Sequence, residues 1–227
     1  EQSIQKQFGD VADKYATSAV HAKGADLQTL LHAVELTETE VVLDAGCGAG
    51  HTALTVAPHA AEVIAYDLTA AMLKQVDQLA AARELTNITT LRGDVAELPF
   101  ADASFDRVVS RFSAHHWTQP LVALREFKRV LKPEGFIVLT DVIALDDLTV
   151  DTYLQAIELL RDPSHVRDHT VAQWHALFTA AGFTPETVDQ FDIPLPFVDW
   201  HTRMNTPAQY VTVLRDLFTK APQTVRD

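Results

Sequence analysis

An α/β fold with a doubly wound, mostly parallel sheet is predicted for this chain, and two observations carry that prediction. Short, nearly all-apolar runs alternate with amphipathic helical runs from residue 40 to residue 143. A strand buried on both faces reads as such a continuous run, because neither side meets water. A glycine-rich turn, "LDAGCGAG", follows the first strand, where open parallel sheets bind ligands. Right-handed crossovers between successive parallel strands then wind helices onto both faces.

The elements follow in order. From Gln2 to Val34, the spacing of Ile4, Phe8, Val11, Tyr15, Ala19, Leu27, Leu30, Leu31 and Val34 predicts two amphipathic helices with a break near Gly24. "EVVLDA" is the first strand, and a helix runs from about His51 to His59. "AEVIAYD" is the second strand. The helix "TAAMLKQVDQLAAAREL" follows, with Thr69 at its N-cap. "NITTLRGD" and "FDRVVSRF" are the third and fourth strands. "QPLVALREFKRVL" is a helix with Pro120 in its first turn; "KPEG" ends it, and "GFIVLTDVI" is the fifth strand. Beyond Ala144 helices are expected at Thr149 to Arg161 and Thr170 to Ala181. A sixth strand is read in "TPETVDQFDIPLPF", and a last helix from Thr206 to Lys220. One domain, 1–227, is expected: helices over 1–34, a binding core over 35–145, and a helical region with the sixth strand over 146–227.

Composition limits the partners. The net charge is −13, and such a surface repels nucleic-acid phosphates and anionic lipid headgroups. No apolar run reaches the ~18 residues that span a bilayer, so no stable membrane insertion is expected. A single cysteine cannot form an internal disulfide, which agrees with a cytoplasmic setting. The chain starts at Glu1 and not Met, as if a short leader or tag had been trimmed. Its oligomeric state is left open, and no metal site is expected.

The glycine turn sets the chemistry. A dinucleotide fingerprint is G-x-G-x-x-G; here the glycines are Gly46, Gly48 and Gly50, and His51 holds the position of the third. Asp44 lies just ahead of the turn. A carboxylate there repels a pyrophosphate and attracts an ammonium group, so the expected ligand is a nucleoside with a cationic tail. Asp67 closes the second strand about where an acid grips ribose hydroxyls, and Asp94 follows the third. Cys47 lies among acids, which disfavours a thiolate; a small side chain that fits the turn explains it. His115 and His116 follow the fourth strand, at the carboxyl edge of the sheet. Either could take a proton near neutral pH, or one could cap the next helix while the other packs. Trp200 and Arg203 in "FVDWHTRMN" are weaker candidates for the acceptor pocket.

"LDAGCGAG", "YDLT", "GDVAELPFADASFD", "HH" and "RVLKPEG", in this order, resemble the class I S-adenosylmethionine-dependent methyltransferases, in particular the ubiquinone/menaquinone methyltransferase-like branch acting on small molecules. The likeness covers about residues 35 to 145, with a weaker one over "FGDVADKYATSAVHAKG". It implies a Rossmann-like sheet of seven strands, the last antiparallel, under an N-terminal helical lid. One strand beyond the sixth would complete that sheet, whereas the sequence ends in a helix.

The resemblance also implies roles. S-adenosyl-L-methionine would be the cofactor and a small molecule the methyl acceptor, with no nucleic acid as partner. Gly46, Cys47, Gly48 and Gly50 would meet the methionine part and Asp44 its ammonium group. Asp67 would hold the ribose, Asp94 and Val95 the adenine edge, and Leu68 and Met72 its face. Arg111 would reach the cofactor carboxylate or the acceptor. Tyr15 and His21 belong to the lid, Tyr15 near the cofactor; His115, His116 and His21 are the candidate bases. A nicotinamide-dependent oxidoreductase and a non-methylating protein with the same pocket are the alternatives.

Overall fold

The computed structural model describes residues 24–226 together with Gln5 and Phe8. Five strands form one sheet: β1 (Val41–Ala45), β2 (Glu62–Asp67), β3 (Ile88–Arg92), β4 (Phe105–Arg111) and β5 (Leu131–Thr140). Their order is β3-β2-β1-β4-β5, and every pairing is parallel. The chain winds outward from β1 to β3, then crosses back to β4 on the other side of β1. The strand order therefore switches between β1 and β4, the place where such sheets bind ligands beyond their carboxyl ends.

Alternate strand residues go to opposite faces, and the central strand β1, buried on both, reads as a nearly unbroken apolar run. On one face Leu43 and Val108 join Phe105, Leu124, Phe127 and Trp174. On the other Val42, Val63 and Val109 join Leu30, Val34, Ala53, Leu73 and Val76. The second face is covered by α1 (Ala25–Ala33), α2 (His51–Val56) and α3 (Ala70–Ala82); the first by α4 (Pro120–Val130). Helix α4 buries Ala123, Leu124, Phe127 and Val130, a stripe at helical spacing. Truncating Phe127 to Ala would cost about 3–5 kcal/mol for a side chain so enclosed.

Boundaries differ from the expectation in instructive places. Thr69 stands at the N-cap of α3, but its side chain makes no capping hydrogen bond. "KPEG" does end α4, yet it belongs to β5: the register jumps from Phe105–Leu131 to Arg107–Phe136, so these residues form a bulge. Helix α5 (Leu148–Arg161) begins at Asp147, whose carboxylate accepts from the Thr149 and Val150 N–H groups. Helix α6 (Val171–Ala180) begins with a Thr170–Gln173 capping box.

The expected sixth strand over 184–197 is not formed. Residues 183–196 have no regular structure, and among the described residues the sheet has five strands, all parallel. Pro185, Pro194 and Pro196 lack the N–H that a ladder needs. A short helix, α7 (Phe197–Arg203), starts where the strand was to end; α8 (Ala208–Lys220) and α9 (Gln223–Arg226) follow and pack on α5. No helix among the described residues is long and apolar enough to cross a membrane.

Candidate active site

The loops after β1, β2, β3 and β4 surround a cavity at the carboxyl edge of the sheet. Ten of the residues singled out from the sequence line it: Gly46, Cys47, Gly48, Asp67, Leu68, Met72, Asp94, Val95, Arg111 and His116.

The glycine turn forms one wall. Gly46 and Gly48 have φ values of 72° and 50°, the left-handed region that side chains disfavour. A Cβ at Gly46 would come within 2.0 Å of Ser113 Oγ, whereas one at Gly48 would meet nothing within 4 Å. Gly46 thus lets the turn approach the β4 loop, and Gly48 leaves space above bare backbone. Gly50 does neither. It precedes α2 with φ 84°, does not line the cavity, and its missing Cβ makes room for Val76 at 2.7 Å.

Asp67 ties this wall together. Its Oδ2 accepts from the Gly48 N–H at 2.8 Å and its Oδ1 from the Thr69 N–H at 2.8 Å. Enclosure raises its pKa, against the pull of these two donors. Asp44 lies a layer deeper than expected: it is 1% exposed and not part of the cavity lining. Its Oδ2 accepts from the Ala53 N–H at 2.8 Å, while Oδ1 is buried with no hydrogen-bond partner. Burial pushes its pKa up to about 7, and Asp67 adds to the effect. Asp94 sits two residues past β3, with Oδ1 accepting from the Ala96 N–H. Burial, then the charges of Asp67 and Asp44, push the Cys47 thiol well above its usual pKa, as its acidic setting suggested.

The other wall follows β4. Arg111 lines the cavity and forms a buried ion pair with Asp26 of α1, a partner the sequence did not reveal. The two histidines separate in role. His115 does not line the cavity; its Nδ1 bonds Asp141 Oδ1 at 2.6 Å and its backbone N–H donates to Asp141 Oδ2 at 3.1 Å. Burial opposes charge on this ring, but Asp141 outweighs it and lifts the pKa to about 9, so His115 is an imidazolium at neutral pH. His115, named above as a candidate base, is thus paired with Asp141 and lies outside the cavity lining.

His116 does line the cavity. Its Nδ1 donates to the Ser164 carbonyl at 3.1 Å, and burial, followed by the His115 charge, holds its pKa well below the usual value. It is a neutral imidazole at pH 7. Phe8 packs edge-on against it, with centroids 5.0 Å apart.

Trp200 and Arg203 are not brought to the cavity. Trp200 is buried against Arg161 and donates from Nε1 to Glu158 Oε1 at 3.2 Å, a packing role. Tyr15 and His21, with most of the expected lid, lie outside the described residues. Phe8, His51, Phe112, Ser113, Trp117 and Gln119 also line the cavity and were missed. The signal for His51 was present, since it occupies the position where a dinucleotide loop places glycine. Among the described residues no group of acids, cysteines or histidines is arranged to hold a metal ion.

Residues 43–139 match the methyltransferase domain family. The chain is 35% identical over 201 residues to an uncharacterized methyltransferase of Bacillus subtilis, YcgJ, covering 88% of this chain and 79% of that protein. It is 42% identical over 170 residues to the Escherichia coli protein YafE, covering 75% and 82%. A demethylmenaquinone methyltransferase of Renibacterium salmoninarum is 33% identical over 142 residues, or 61% of this chain and 58% of that protein. The crystal structure of YcgJ superposes with a TM-score of 0.86 at 33% identity, covering 88% of this chain and 86% of that one.

Proposed function

The chain belongs to the methyltransferase domain family, and from that premise we propose that its cavity binds S-adenosylmethionine and methylates a small molecule placed beside His116. The observation that carries this reading is the Gly46–Gly48 turn, with open space over Gly48 and the Asp67 carboxylate bonded to its N–H. The residues fit that cofactor. Bare backbone at Gly48 admits the close approach of its amino-acid end. Asp67 stands at the wall to receive ribose hydroxyls, and Leu68 and Met72 offer apolar surface to a base beside Asp94 and Val95. Asp44, buried with an unpartnered oxygen beneath the turn, is a carboxyl that a cationic ligand above it would favour in its charged form.

When bound, this cofactor supplies a methyl group on a cationic sulfur that leaves as a neutral thioether. The chain's part is to align the acceptor, exclude water and manage its proton. Phe8, Trp117 and Met72 give the cavity apolar surface. His116, neutral at pH 7, is the group there able to accept a proton from a hydroxyl or an activated carbon; His115, already charged, is not. The acidic surface argues against a nucleic-acid acceptor, and the lone cysteine agrees with a cytoplasmic location.

Calorimetric titration tests the assignment. S-adenosylmethionine and S-adenosylhomocysteine are expected to bind and NADH not to bind, with Asp67→Ala weakening both adenosyl ligands at least about tenfold, roughly one lost charged hydrogen bond. Binding of NADH without S-adenosylmethionine, or an unchanged affinity in Asp67→Ala, would overturn it. Methyl release across phenols, quinones, amines and acids then identifies the acceptor class. His116→Ala is expected to lower turnover by about 10²–10⁴ on acceptors that must lose a proton.

A further inference from the structure

The segment that joins α5 to α6 packs on the histidine pair. We propose that Asp162 is a positioning residue for His116: through Ser164 it fixes the His116 ring with its proton on Nδ1 and its lone pair on Nε2. The proposal rests on the reading of the cavity as the methyl-transfer site.

The geometry runs outward from Asp162, which is 3% exposed. Its Oδ1 accepts from the Ser164 N–H at 2.8 Å and from the Ser164 hydroxyl at 2.6 Å. Its carbonyl accepts from the His165 N–H at 3.0 Å. These bonds close a turn over Pro163 and aim the Ser164 carbonyl at His116 Nδ1, 3.1 Å away. A carbonyl only accepts, so Nδ1 carries the proton of the neutral ring and Nε2 keeps its lone pair. The turn is also held from the other side, because the Val166 and Arg167 N–H groups both donate to the His115 carbonyl.

The second oxygen of Asp162 completes the arrangement. Oδ2 lies 3.9 Å from His116 Nε2, too far for a hydrogen bond to the neutral ring but close enough to stabilise a charged one. When the acceptor's O–H or C–H bond breaks, its electron pair stays with the acceptor and its proton forms the N–H bond on Nε2. The imidazolium then faces the Asp162 carboxylate, and the proton later returns to water. The other charged or titratable groups around the ring are His115, paired with Asp141, together with His165 and Arg161. The sequence reading passed over Asp162 and Ser164 because the chain between them and His116 includes β5 and α5.

The test uses full-length protein labelled with ¹⁵N in its histidine rings, without cofactor or acceptor. Two-bond ¹H–¹⁵N correlation spectra at pH 7 report which ring nitrogen holds the proton, and His116→Gln identifies the signals. Wild type is expected to show neutral His116 with the proton on Nδ1. Asp162→Ala is expected to move part or all of that population to the Nε2–H tautomer. Asp162→Asn, which keeps an oxygen to accept from Ser164, is expected to retain the wild-type pattern. A wild-type proton on Nε2, or an unchanged spectrum in Asp162→Ala, overturns the proposal. If Asp162→Ala does not fold, the wild-type and Asp162→Asn spectra decide it. Titration of the same proteins with S-adenosylhomocysteine separates the two levels. Absent binding in wild type defeats the cavity assignment, whereas intact binding with the wrong tautomer defeats only the role of Asp162.

Discussion

The cavity wall that carries Gly46, Gly48 and Asp67 is made from two neighbouring strand ends and the backbone that leaves them. The wall that carries His116 is made from side chains whose partners are remote: Asp26 for Arg111 and Ser164 for His116, with Asp141 holding His115 just behind it. The first presents backbone N–H groups and a carboxylate fixed by two of them. The second sets a buried ring beside another that Asp141 holds. In the function proposed, cofactor binding would rest on local geometry, while handling of the acceptor would depend on long-range contacts.

Gly46→Ala strikes the first wall hardest. Left-handed backbone and a collision with Ser113 Oγ together cost a few kcal/mol, so S-adenosylhomocysteine affinity should fall about 100-fold by calorimetry. An affinity within threefold of wild type would show that the turn does not form the binding surface.

Asp44→Asn should separate binding from stability. The folded-state pKa of Asp44 is about 7 against an ordinary 3.8. The penalty for ionising it is absent below the ordinary value and fully present above about pH 7. The substitution should therefore raise Tm by several degrees at pH 8, an amount that corresponds to about 1–2 kcal/mol in a chain of this size. It should have little effect on Tm near pH 4, while weakening S-adenosylmethionine binding. A Tm unchanged at pH 8 would show that the buried carboxylate is not strained.

Asp141→Asn probes the second wall. The pKa of His115 is raised to about 9, so its ion pair contributes fully below about pH 6.5 and is lost as pH rises through 9. The Tm difference between wild type and Asp141→Asn should be largest at pH 6 and shrink towards pH 10. A constant difference would mean that packing, not charge, holds His115. Cys47→Ala should do least. Methyl release and adenosyl-ligand affinity within about twofold of wild type are expected, because a thiol with a raised pKa is inert.

What could be read from the sequence follows the same division. The order and type of the five strands and the helices between them were legible, because a doubly covered sheet writes itself as local apolar runs. The glycine turn, Asp67 and Asp94 were legible because their spacing along the chain is their geometry. The depth of Asp44 was not, since burial depends on how α2 folds over the turn. The choice between His115 and His116 was hidden too: adjacent residues face different ways, and the acid that charges one and the carbonyl that orients the other come from later segments. The mistaken sixth strand came from weighing the apolar residues of 184–197 above three prolines.

The three glycines of the turn hold three different tolerances, which matters for how the motif can drift. Gly50 is constrained by Val76 on a neighbouring helix, not by a ligand. A genetic suppressor should therefore exist for Gly50→Ala, namely Val76→Ala, and it should restore folding only in part because the backbone stays left-handed. Gly48 has no such neighbour to yield. A side chain there would compete with the ligand itself, and only a smaller ligand would compensate. Part of this signature is thus open to compensation within the chain, and part is bound to whatever the cavity holds.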